Sequence, residues 1–151
     1  MLVKYSVQEI PGRGKGLVAE EFIPKGTKIW EFQPERAKIF SNKDQLDSYL
    51  RSIPLDKQVE ALVHIFCSGD EAILLQDDTQ YTNHDENANT FNSEDLKENF
   101  ASRDIFPGEE MTDNYKEFHV IDWFEDICRK YNIISCVTFP VILQSAGGKQ
   151  E

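Results

Sequence analysis

The sequence is poor in cysteine, in positive charge and in long apolar runs, and each scarcity excludes something. Its three cysteines, Cys67, Cys128 and Cys136, form no CxxC pair and have no histidine at ligand spacing. A structural zinc site needs about four such ligands, so none is expected, and an odd, scattered set argues against a disulfide framework. The thiols read as reduced and mostly buried, which implies a cytoplasmic setting, or a nuclear one in a eukaryote. No stretch approaches the roughly 20 apolar residues that span a membrane. Met1-Leu2-Val3-Lys4-Tyr5 lacks the apolar run and small-residue cleavage site of a signal peptide. Sixteen Lys and Arg stand against 27 Asp and Glu, a formal net charge of −11. Nucleic-acid binding needs a basic footprint, so direct contact with nucleic acid is not expected. The acidity either only keeps the protein soluble or steers basic partners toward it.

What remains has the length of one domain, with 40% hydrophobic residues to fill a core. Residues 2–7 alternate at period two, Leu17-Val18-Ala19 is a short apolar strand, and residues 28–32 alternate again. Glycine-rich turns fall at residues 11–16 and 23–27. Ser41 and Asp44 are candidate N-caps for a helix over residues 45–50. Val59, Leu62, Val63 and Phe66 have the spacing of one helical face. Ile73-Leu74-Leu75 reads as a buried strand, residues 76–90 are polar and break every period, and residues 100–105 read as another strand. Asp122 is a candidate cap for a helix with Trp123, Phe124, Ile127, Cys128 and Tyr131 on its apolar positions. Residues 137–143 are apolar, and residues 144–151 are expected to be disordered. The fold class is therefore α+β, mostly β.

Three segments could carry chemistry. In Gly14-Lys15-Gly16 the glycines permit positive φ and close approach of backbone to a ligand, although a hairpin turn uses the same residues. The spacing is not that of a nucleotide-phosphate loop, and no helix follows directly. Residues 81–90, Tyr81-Thr82-Asn83-His84-Asp85-Glu86-Asn87-Ala88-Asn89-Thr90, are almost free of apolar side chains in mid-domain. They read as a solvated loop or as a site, and they lack the glycine and glutamate positions of an EF-hand loop, so no metal is expected. Residues 105–115 join a Pro-Gly turn to Glu109, Glu110 and Tyr115. The two carboxylates are adjacent, so on a strand they point to opposite faces.

Together and in this order the segments resemble the SET-domain lysine methyltransferases. Gly14-Lys15-Gly16-Leu17-Val18-Ala19 and Phe22-Ile23-Pro24-Lys25-Gly26-Thr27 are similar to the family's GxG strand and I-x-K-G turn. Asn83-His84-Asp85-Glu86-Asn87-Ala88-Asn89 is similar to NHSCxPN, and Gly108-Glu109-Glu110-Met111-Thr112-Asp113-Asn114-Tyr115 to GEELTxDY. Asp85 and Glu86 replace the usual Ser and Cys, Ala88 replaces Pro, and Asn114 stands where Asp is common. Asn83, His84, Asn89 and Tyr115 are kept. Without the cysteine-rich flanking modules, the chain resembles the minimal stand-alone members of bacteria and large viruses.

The resemblance implies a SET-domain (β-clip-like) fold of small sheets with a C-terminal pseudoknot, in which polar side chains of residues 83–89 bond across to the chain leading into Tyr115. It implies a SET domain over residues 1–118, a helical and apolar cap over 119–143 in the same globule, and a tail over 144–151. It also implies methyl transfer from S-adenosylmethionine to the ε-amine of lysine in a basic protein, histone-like or ribosomal, with no membrane involved. Tyr115 would be the catalytic tyrosine beside the methyl group and Tyr81 would line the lysine channel. Gly14, Lys15 and Gly16 would hold the cofactor by backbone contact, with Asn83, His84 and Tyr115 completing its site. Phe118, Trp123 and Phe124 would close the channel, stack on adenine, or pack in the core. The alternative is a catalytically silent module that binds a basic protein. The substrate protein, the degree of methylation and a homodimer through residues 137–143 stay open.

Overall fold

The computed structural model describes residues 1–132. Ten strands in three small sheets and three short helices are found among them, so the chain is mostly β with few helices, as expected. The described residues group into two compact units interleaved along the sequence: Met1–Arg36 with Gln76–Glu117, and Ala37–Leu75 with residues 118–132.

The first unit is built of strands. Strand β1 (Tyr5–Ile10) returns as β2 (Gly14–Ala19) in an antiparallel hairpin. The first strand starts three residues later than the alternation at residues 2–7 suggests, because the turn fixes the register at Ile10 opposite Gly14. Gly12 and Gly14 take φ of 77° and 73°, a region that costs other residues a steric penalty. Strand β3 (Lys28–Glu31) belongs to a second sheet; it pairs with β9 (Glu98–Ala101), which pairs in turn with β8 (Thr90–Asn92). The strand expected at residues 100–105 thus ends at Ala101. An isolated bridge between Ile23 and Ile105 joins the two turns that precede β3 and β10 (Glu110–Asp113). Strand β10 lies beside β2 on one side and, in parallel, beside the two-residue β7 (Asn83–His84) on the other.

The second unit has the ordinary apolar interior. Strands β4 (Ala37–Phe40), β5 (Ile65–Ser68) and β6 (Glu71–Leu75) form an antiparallel sheet in the order β4-β6-β5. Helix α1 (Lys43–Arg51) is capped by Asn42, whose side chain accepts from Gln45 N–H at 3.0 Å, not by Ser41 or Asp44. The side chain of Gln45 turns back to accept from Ser41 N–H. Helix α2 (Leu55–Val63) buries Ala61 and Leu62, whereas Val59 and Val63 are 40% and 44% exposed. Phe66 lies beyond its end in β5, so the expected apolar stripe is split between two elements. Helix α3 (Asp122–Lys130) begins at Ile121 without a side-chain cap, Asp122 sits in its first turn, and Phe124, Ile127 and Cys128 are buried. These three join Leu46, Leu50, Leu62, Ile65 and Leu74 in one core. Lys130 bonds Asp47, which also pairs with Arg51, and so ties α3 to α1. Cys136 and the expected tail lie outside the described residues.

Candidate functional site

The polar segment at residues 81–90 folds against β10 and β2, all within the first unit. A short 3₁₀ turn (Asp78–Tyr81) opens at Asp77, which accepts from Thr79 N–H, and delivers the chain into β7. In the parallel pairing Asn83 lies opposite Thr112 and His84 opposite Asp113. Asn89, buried, spans the crossing: its Nδ2 donates to Glu110 O at 2.8 Å and its Oδ1 accepts from Thr112 N–H at 2.9 Å. Each half of the amide thus satisfies one strand group. This is how the segment stays polar at the centre of a unit: buried polar groups are tolerated when bonded, and no buried side-chain N or O among the described residues lacks a partner.

A second polar cluster backs the first. Asp113 is buried, and its carboxyl meets the Thr90 hydroxyl and Asn99 Nδ2, the latter at 2.9 Å. Asn99 Nδ2 also reaches Asn92 Oδ1 at 3.0 Å. Burial pushes the Asp113 carboxyl above the usual range and Glu117 adds to this, while bonds from Thr90, Asn92 and Asn99 pull it back. Sequence reading passed over this residue because a carboxylate in a polar run gives no sign of burial.

Tyr115 opens the 3₁₀ turn Tyr115–Glu117 directly after β10 and Asn114. Its hydroxyl donates to Thr82 O at 2.5 Å, and its backbone N–H donates to His84 Nδ1 at 3.0 Å, with the two rings 5.3 Å apart. Accepting at Nδ1 places the proton of neutral His84 on Nε2. Burial, above all, pushes His84 below its ordinary range; Asp85 and Glu86 oppose this. His84 is therefore held neutral by desolvation and acts on the backbone that carries the tyrosine.

The turn expected over residues 11–16 ends at Arg13, because Gly14, Lys15 and Gly16 already pair with β1, and this start of β2 meets the same place. Asn83 Nδ2 donates to Lys15 O at 2.9 Å and to Glu110 Oε1 at 2.7 Å. A Cβ on Gly16 would lie 2.6 Å from Glu110 Oε1, 2.6 Å from Ile10 Cγ1 and 3.0 Å from Asn83 Nδ2. Glycine at this position is thus demanded by close packing of the very groups that orient Asn83. Lys15 extends its ammonium over the Tyr81 ring, 4.9 Å from the centroid. The structure therefore brings Gly14, Lys15, Gly16, Tyr81, Asn83, His84 and Tyr115 into one connected set. Glu109 and Glu110 diverge, although only Glu110 is in β10 and Glu109 ends the turn before it, so the expected strand alternation does not apply to the pair. Glu109 pairs with Arg103 and accepts from Phe106 N–H, while Glu110 faces Asn83. Sequence reading missed Arg13, Thr82 and Glu110, and only the opposite-face argument for the two glutamates hinted at the last.

Of the three C-terminal aromatics, Phe124 is in the core of the second unit. Trp123 packs edge-on against Phe124, and Phe118 against Phe66, within that same unit.

Small sheets with few helices, a parallel strand crossing and a tyrosine beyond it define the SET-domain fold. The SET domain family model matches residues 14–116, and the chain belongs to the SET-domain family. Proteins of that family include methyltransferases. Among solved structures, the chain is similar to Polycomb Repressive Complex 2 of Chaetomium thermophilum in an autoinhibited conformation bound to S-adenosylmethionine. The identity is 18% and the TM-score 0.57 over 86% of this chain and 17% of that one. An apo form of that complex gives 18% and 0.60 over 84% and 16%. A Plasmodium falciparum protein named as a candidate histone methyltransferase gives 15% and 0.52 over 76% and 95%. The chain thus spans less than a fifth of the Polycomb chains and nearly the whole of the Plasmodium one. No curated protein sequence matches it.

Proposed function

We propose that the chain transfers a methyl group from S-adenosylmethionine to the ε-amine of a lysine in a basic protein. The observation that carries this reading is the pinning of the Tyr115 hydroxyl to the Thr82 carbonyl one residue from Asn83, which is itself bonded to the glycine turn.

The residues present suit the cofactor. Glu110 is acceptor-only when ionised, so it fixes the Asn83 amide with Nδ2 toward itself and Lys15 O. The amide oxygen is left to accept from an ammonium such as that of an amino-acid moiety. Gly14 and Gly16 carry no side chain between their backbone and such a ligand. Asn83 and His84 on β7 with Gly14–Lys15–Gly16 on β2 would hold the cofactor, and Tyr115 would serve its reacting end. S-adenosylmethionine, when bound, supplies a methyl group activated by sulfonium.

The rest is alignment. The hydroxyl donates to Thr82 O, which sets two oxygens side by side. These oxygens favour the partial positive charge that develops at a transferring carbon. The attacking amine has to be neutral, against a free pKa of about 10.4 for lysine, and desolvation beside a cation lowers that value. Tyr81 lines the approach of this lysine. The formal charge of −11 supports a basic substrate by complementarity, and the buried free thiols of Cys67 and Cys128 suit a reducing compartment.

The test is incubation with labelled S-adenosylmethionine and a panel of histones and ribosomal proteins, beside a Tyr115→Phe variant. Label on lysine that falls sharply in the variant supports the reading. Calorimetric binding of the cofactor with no label on any protein favours the silent binding module, and no binding at all sinks the methyltransferase.

A further inference from the structure

Arg13 sits in the turn that carries Gly14 and reaches two carboxylates at once. One guanidinium nitrogen pairs with Asp85 Oδ2 at 3.3 Å, the other with Glu110 Oε2 at 3.3 Å. The second oxygen of Glu110 accepts from Asn83, and the same Asn83 nitrogen donates to Lys15 O, two residues beyond Arg13. The bonds close a ring: turn to Arg13, to Glu110, to Asn83, and back to the turn. Asp85 is fixed for its part by accepting from Asn87 N–H, chiefly for which its carboxyl lies below the ordinary range, with Arg13 adding to the effect. We infer that Arg13, Asp85 and Glu110 form an ionic latch that holds the glycine turn onto β7 and sets the Asn83 amide for cofactor binding. All three are positioning residues, and the inference rests on the methyltransferase reading above. Arginine suits the role because its planar fork can serve two carboxylates together, which lysine cannot. Asp85 stands where the resembling motif has Ser, and its carboxylate is what gives the latch this arm.

The latch makes a prediction opposite in sign to simple electrostatics. S-adenosylmethionine carries a cationic sulfonium, so removing a nearby cation should favour its binding by Coulomb's law alone. Removing Arg13 should instead weaken binding, because the turn and Asn83 lose their brace. Exposed pairs are individually weak, so the expected loss is about tenfold in Kd for Arg13→Gln, with a smaller loss for Arg13→Lys and for Asp85→Asn.

Calorimetric titration of S-adenosylmethionine into the full chain and each variant, at about 50 and 500 mM salt, tests this together with a thermal melt. Weaker binding by Arg13→Gln that converges on the unaltered chain as salt rises supports the latch, since salt screens exposed pairs. Affinity within twofold of the unaltered chain at low salt overturns it, even if the variant melts earlier, because that pattern marks a purely structural role. Should Arg13→Gln fail to fold, the Asp85→Asn comparison decides by the same criterion. Failure of the unaltered chain to bind overturns the methyltransferase reading and the latch with it, whereas tight binding indifferent to Arg13 overturns the latch alone.

Discussion

The two units solve the problem of an interior in different ways. The second buries Leu46, Leu50, Leu62, Phe124 and Ile127, all fully enclosed, and needs only shape and apolarity to do so. The first buries Asn89, Thr90, Asn99, Thr112 and Asp113 as well as Leu17, Ile23 and Met111, and every polar group there has to find a partner. An apolar interior tolerates approximate packing, while a bonded polar one specifies a single arrangement. The candidate site is in the unit where specification is strongest.

That contrast can be broken experimentally. The largest effect on stability should come from the apolar unit. Phe124→Ala is expected to cost about 3–5 kcal/mol of unfolding free energy, measured by chemical denaturation. Cofactor affinity corrected for the folded fraction should stay unchanged; a specific loss of affinity would show that the units do not divide the labour in this way. Next is Tyr115→Phe, which removes the bond to Thr82 O. A fall of roughly 10²-fold in kcat, the scale of a misplaced reacting group, is expected with little change in melting temperature. Gly16→Ala should cost about 1–3 kcal/mol through overpacking and also weaken cofactor binding, because the new methyl displaces Glu110 and Asn83 together.

Smaller effects concern pH and capping. The folded Asp113 carboxyl is raised by burial, so the native state holds a proton that the unfolded chain releases. The stability contribution of that proton is complete below the ordinary carboxylate value of 3.8 and is lost as pH rises through the raised one. His84 has the opposite sense. Its lowered folded value means that stability is complete above about 6.5 and declines as pH falls below it. Asp113→Asn should therefore remove the acid-side gain that opposes the His84 term, so that stability falls more steeply with acid than in the unaltered chain, followed by urea unfolding across pH. In the apolar unit Cys128 is pushed up to about 12 by burial, so its thiol stays uncharged and should add no slope near neutrality. Least of all, Asn42→Ala should cost α1 about 1 kcal/mol with no change in methyl transfer.

The amino-acid order alone was enough for the mostly β class and for a turn at residues 11–13, because turn chemistry is local, and it singled out the segments carrying Gly14, Lys15, Gly16, Asn83, His84 and Tyr115, which the structure places together and whose roles are the proposal made above. The same holds for Phe124, Ile127 and Cys128 on one helical face, where the period is local too. Local pattern misassigned the cap of α1 and the stripe of α2. Asn42 is as good a cap as its neighbours, and Val59 and Val63 match the period without meeting a covering surface. Only the tertiary structure decided which of two adjacent glutamates touches Asn83, that Arg13 forks between Asp85 and Glu110, and that Asp113 is buried. Partners 70 to nearly 100 positions apart leave no trace in a local window, and whether a polar side chain is buried depends on strands that the rest of the chain lays over it.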